Sequence, residues 1–127
     1  MQVSIQSYKQ EEFLMPIHIS NIKADMPTAD KAPARVTYAL ETGKRLGVPA
    51  VKIIHGYGST GPGGRIRTTV RRDLASRKSR GLIRDFIIGE EFSIFNHATL
   101  QAFALCPELR QDQDLDRHNN GVTIVLL

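Results

Sequence analysis

An unbroken apolar run, AVKII, lies from Ala50 to Ile54 between two segments of helical periodicity. A strand with one wet face alternates apolar and polar residues; a strand covered on both faces need not. The run therefore predicts an interior strand flanked by helices. Before it, Val36, Ala39, Leu40, Gly43 and Leu46 recur at helical spacing and predict a helix over Ala32–Leu46. Pro33 belongs in its first turn, Asp30 or Thr28 can cap it, and the LGVP stretch stops it. After the run, Ile66, Val70 and Leu74 form one stripe, with Arg67, Arg71 and Lys78 on another. That pattern predicts a second, amphipathic helix starting near Gly64 or Arg65.

Strands complete the order. Pro16–Ala24 carries Ile17, Ile19 and Ile22 among polar neighbours, Leu82–Ile88 reads as a third strand, and the terminal GVTIVLL follows an Asn120-Gly121 turn signal. The sequence is strand, helix, strand, helix, strand, long connection, strand, which predicts an α/β layer arrangement with right-handed crossovers. At 127 residues the chain has room for one domain, assigned to residues 15–127, with residues 1–14 as an arm or edge strand. The connection Gly89–Asn120 is too long for a hairpin loop. Within it, NHATLQAFAL predicts a short helix capped by Asn96 that turns Leu100 and Phe103 inward. His118 with Asp112, Asp114 and Asp116 suggests metal ligation, but DQDLD lacks the glycine and final acid of a calcium loop and reads as a solvated acidic loop.

Cys106 is the only cysteine, so no intrachain disulfide or redox pair forms, and its AFALCPEL surroundings predict a buried thiol. No apolar run reaches the ~18 residues of a membrane span, and the first residues carry no signal pattern. The expectation is a cytoplasmic protein with no membrane partner.

Charge narrows the function further. The net charge is +4, but between Gly64 and Arg84 lie Arg65, Arg67, Arg71, Arg72, Arg77, Lys78, Arg80 and Arg84 against a single acid, Asp73. A one-signed block of this kind is a candidate phosphate-binding surface. It directly follows HGYGSTGPGG, residues 55–64. GYGSTG spells the dinucleotide-binding G-x-G-x-x-G and keeps a small nucleotide-binding enzyme among the readings. Against it, PGG delays the helix, and the chain lacks a second mononucleotide-binding half. Glycines also let a backbone approach a ligand, and loop N–H groups with a helix start can receive a phosphate completed by Arg65 and Arg67. His55, between strand and glycines, can serve as acid or base or can pin the loop by a hydrogen bond. Tyr57 is the aromatic within the loop and can stack on a base.

The segment VKIIHGYGSTGPGGRIRTTVRRDL resembles the second signature of the Smr (small MutS-related) domain family, an apolar strand followed by H-G-x-G and a helix with basic residues. NNGVTIVLL resembles the family's closing turn and strand, so the resemblance runs from about Ile17 to Leu127. It implies a βαβαββ two-layer sandwich with a mixed sheet, here with a long insertion before the last strand. It also implies DNA or RNA binding, and in several members metal-assisted endonuclease activity with a divalent ion such as Mg or Mn. His55, Gly56 and Gly58 match H-G-x-G, and Arg65 and Arg67 match the basic helix start. The family's first signature, L-D-L-H-G, is missing: the corresponding stretch, Ile22–Met26, puts Lys23 at the aspartate and Asp25 at the histidine. The resemblance, taken with the reading of the glycine loop and basic helix, makes Lys23, Gly56, Tyr57, Gly58, Gly63, Gly64, Arg65, Arg67 and Arg71 the expected nucleic-acid contacts. If the domain cleaves, His55 and Asp25 are its catalytic candidates. A protein-interaction module working through Gly89–Asn120 is the competing reading.

Overall fold

The computed structural model describes residues 17–25, 28–57 and 62–127, with the backbone alone for Pro62 and Gly63. The proposed arm, residues 1–14, lies outside them. The elements are β1 (Ile17–Asn21), α1 (Ala32–Leu46), β2 (Ala50–Ile54), α2 (Pro62–Ser79), β3 (Asp85–Ile88), α3 (His97–Leu105) and β4 (Val122–Leu126). β1 and β2 pair in parallel, as a crossover helix requires, while β4 pairs antiparallel with both β2 and β3. The sheet order is β1-β2-β4-β3, so the last strand enters the middle, where all five of its residues are buried. This is the mixed sheet and α/β class expected, with β2 interior.

Strand alternation divides the core. Val51 and Ile53 pack with Val36, Ala39 and Leu40 of α1 and with Ile66, Val70 and Leu74 of α2. Ala50, Ile124 and Leu126 meet Phe92, Phe103 and Leu109 on the opposite face. Two helices thus cover one face, and the segment between β3 and β4 covers the other. Cys106 is buried in this second core, and burial, with the nearby Glu108 carboxylate, pushes its thiol up to about 11. Among the described residues, no helix is long and apolar enough to cross a membrane.

Several local expectations are corrected. β3 begins at Asp85 rather than Leu82, because the Leu82 N–H is held by the Arg77 carbonyl at 2.8 Å as α2 terminates. α2 begins at Pro62, two residues before Gly64, since proline suits a first helical position. A short 3-10 turn, Ala29–Lys31, leads into α1, and neither Asp30 nor Thr28 caps it by a side chain. Asn96 does cap α3, accepting from the Thr99 N–H at 3.0 Å. Thr99, Ala102 and Phe103 form the buried stripe of that helix, however, and Leu100 falls off it and is 47% exposed.

The acidic loop is the largest correction. Lys52, in the middle of β2, is only 3% exposed, and its ammonium lies 2.8 Å from Asp112 and 2.5 Å from Asp114. These carboxylates are largely enclosed ion-pair partners of a buried lysine, not a solvated cluster. Burial alone would depress Lys52, but hydrogen bonds to Asp112 and Asp114 outweigh it and raise the ammonium above its usual range. Burial likewise pushes Asp114 up, and hydrogen bonds from Asn119 and Lys52 reverse this and hold it low. The triad fastens the long segment to the sheet.

Candidate nucleic-acid interface

The carboxyl ends of the parallel strands β1 and β2 finish side by side, with the Ile22 N–H donating to the Ile54 carbonyl at 3.0 Å. Two loops leave from this edge, one carrying Lys23 and Asp25, the other His55, Gly56 and Tyr57. Gly56 has φ +88°, a left-handed conformation that side chains other than glycine rarely adopt. This turn lets the N–H groups of both His55 and Gly56 reach the Gly121 carbonyl, each at 3.0 Å. The loop is therefore tied to the turn that precedes β4.

His55 completes the tie. It is 1% exposed, with Nδ1 3.0 Å from the Gly56 carbonyl and Nε2 2.9 Å from Thr123 Oγ1. A carbonyl only accepts, so Nδ1 carries the proton and Nε2 accepts from the threonine hydroxyl. Burial, with the positive charges of Arg71 and Arg67 adding to it, pushes the imidazole down to about 4, against the opposing hydrogen bond to Gly56. A neutral ring with both nitrogens engaged is a loop pin. No hydrogen bond or ion pair joins it to Asp25, whose backbone carbonyl accepts from Arg35 Nη2 at 3.0 Å. The two residues expected as a catalytic pair thus share no hydrogen bond or ion pair, although their loops leave neighbouring strand ends.

The binding candidates fare differently from one another. Lys23, Gly56 and Tyr57 line one small cleft together with Gly121. Lys23 lies against Gly56, where a Cβ would stand 3.3 Å from its Cδ. Tyr57 is 60% exposed, while its carbonyl accepts from Arg67 Nη1 at 2.7 Å. Arg67 thus clamps the loop from α2. Arg71 is paired with Glu90 at 2.5 Å, with its Nε buried and lacking a hydrogen-bond partner. Burial pushes the Glu90 carboxyl up, but the Arg71 hydrogen bond overrides this and keeps it low. Arg77 pairs with Asp73 and Lys78 with Asp85. The exposed arginines without an ion pair among the described residues include Arg65, Arg72, Arg80 and Arg84. Arg65 and Arg72 share a shallow groove with Gly64, Thr68 and Ala29 that runs along α2 from its first turn, the positive end of the helix dipole, to its middle. Gly63 lies in the first turn of α2, and Gly58 falls outside the described residues.

Among the described residues, no three histidine, cysteine or carboxylate side chains come together to hold a metal ion. His118 instead directs Nδ1 to the Glu90 carbonyl at 3.2 Å, and Asp116 accepts from the Ile94 N–H at 3.1 Å.

No protein-family model and no curated protein matches the chain. Among solved structures it is similar to the Smr domain of Thermus thermophilus MutS2, with a TM-score of 0.52 and 20% identity over 87% of this chain and 96% of that one. The chain has an Smr-like fold. In this Smr-like domain His55, Gly56 and Tyr57 of the H-G-x-G stretch sit at the strand ends, with the Tyr57 carbonyl held by Arg67 of the basic helix. Sequence reasoning missed Thr123 as the partner of His55 and the Lys52 triad. A lone lysine inside AVKII was the available signal, since a cation at an interior position needs acids, and DQD lay within reach.

Proposed function

We propose that this Smr-like domain binds nucleic acid across the β1 and β2 strand ends and the start of α2. One observation carries the reading: Lys23 and Tyr57 converge on one cleft, beside a helix whose Arg65 and Arg72 are exposed and free of ion pairs among the described residues. The nucleic-acid binding that Smr domains are known for agrees with it. Lys23, Arg65 and Arg72 contact phosphates, helped by N–H groups at the α2 start. Arg67 and His55 are positioning residues that set the loop, and Arg71 is held back by Glu90. Binding is the activity these residues support. Cleavage gathers no comparable support, with His55 enclosed and no cluster of three metal-type donors among the described residues, so no hydrolytic step is assigned to Asp25 or His55.

Fluorescence anisotropy with labelled DNA and RNA over a salt series tests this. Affinity should fall as salt rises, and Arg65→Ala and Arg72→Ala should each reduce the slope by about 0.7–0.9. An unchanged slope in the double variant overturns the assignment. A second reading has its own observation: Ile94, Phe95, Leu100 and Leu105 are exposed large apolar residues of the segment between β3 and β4. Exposed apolar groups of this size suit a protein contact, which a pull-down lost in a Phe95→Ser/Leu100→Ser variant would report.

A further inference from the structure

We infer that the site selects unpaired nucleotides by stacking a base on Tyr57, in single-stranded DNA or RNA alike. The inference rests on the nucleic-acid reading and names its substrate class. Tyr57 is 60% exposed at a strand end, yet it is held from three directions. Its carbonyl is clamped by Arg67 at 2.7 Å, and the N–H groups of the two residues before it are tied to Gly121. Its ring edge lies over Gly121, where an added Cβ would meet Tyr57 Cδ1 at 3.2 Å. The glycine leaves room for the ring to lie flush against the turn, with its remaining surface turned to solvent.

The surroundings supply what a nucleotide carries besides its base. Lys23 borders the same cleft and can meet a phosphate. An aromatic face next to such a cation suits a splayed nucleotide and is sequence-tolerant, because every base has a π-face. In a duplex the bases are stacked on one another and their faces are closed to a side chain. Tyr57 therefore adds to binding of unpaired strands alone, whereas the arginines of α2 act on both.

The chain contains no tryptophan, so a Tyr57→Trp variant has a single tryptophan at the site. Its fluorescence should be quenched by oligo-dT or oligo-U and stay unchanged with a blunt duplex of equal length. Tyr57→Ala and Tyr57→Leu should weaken single-strand binding at least fivefold with an unchanged salt slope, while Tyr57→Phe stays within twofold of wild type. Duplex affinity should not move. Whether oligo-dT or oligo-U binds tighter identifies the natural source. Equal losses on duplex and single strand, or no loss on either, would overturn stacking while leaving nucleic-acid binding in place. Failure of the wild type to bind any of these probes would instead remove the functional reading itself.

Discussion

Replacing Lys52 by methionine keeps the length and apolar stem of the side chain and deletes its charge. Asp112 and Asp114 then remain largely enclosed side by side without the cation that lies 2.8 and 2.5 Å from them. Breaking a buried pair by removing one partner costs about 3–5 kcal/mol, because the remaining charge is left uncompensated. With a urea slope of about 2 kcal/mol per M for a small domain, the midpoint should fall by roughly 2 M. The triple variant Lys52→Met/Asp112→Asn/Asp114→Asn should recover part of that loss, since the three groups act as one unit. The effect also has a pH window. Asp114 is held below its ordinary range, so its share is present above about pH 3.9 and is lost as pH falls through the lower folded value. Lys52 is raised, so its share is present below about pH 10.4 and is lost as pH rises through the higher folded value. The gap between wild type and Lys52→Met should be widest near neutrality and close at both extremes. Urea unfolding followed by circular dichroism measures it. A gap under about 0.5 kcal/mol at pH 7, the size expected of an exposed pair, would refute the buried-triad account.

His55, depressed to about 4 from 6.5, should make stability fall as pH drops through this range, because the unfolded chain takes up a proton that the folded ring refuses. The loss should approach about 3 kcal/mol by pH 4, and a His55→Gln variant should show a flatter dependence in the same unfolding series. Cys106, buried and raised to about 11, should resist a thiol-specific reagent in the native protein at pH 8 and react promptly in urea; prompt native reaction would place it at the surface. Phe95, 90% exposed, should tolerate Phe95→Ser within about 0.5 kcal/mol of wild-type stability, and nucleic-acid affinity should not change.

Periodicity made most of the architecture readable. The heptad-like recurrence of Val36, Ala39, Leu40 and Gly43 matches the buried face of α1, and the apolar run at Ala50–Ile54 became an interior strand. Patterns report burial, however, and say little about which polar groups meet. Asp112 and Asp114 looked solvated because their partner lies sixty residues earlier in the chain. Arg67 and Arg71 looked like free cations because a helical projection shows neither the Tyr57 carbonyl nor Glu90. His55 was visible as a loop residue, but its long-range contact with Thr123, which engages the second ring nitrogen, is invisible in a local motif. Lys23, Gly56 and Tyr57 come together because the parallel pairing of β1 and β2 places their carboxyl ends side by side.

The most direct test of the binding surface is an NMR titration of the 15N-labelled domain with a short oligonucleotide at low salt. Amide shifts should concentrate at Lys23, Gly56, Tyr57, Gly64, Arg65 and Arg72 and fade as salt is added. Shifts centred instead on Ile94, Phe95 and Leu100, with the strand-end residues unmoved, would contradict the proposed site.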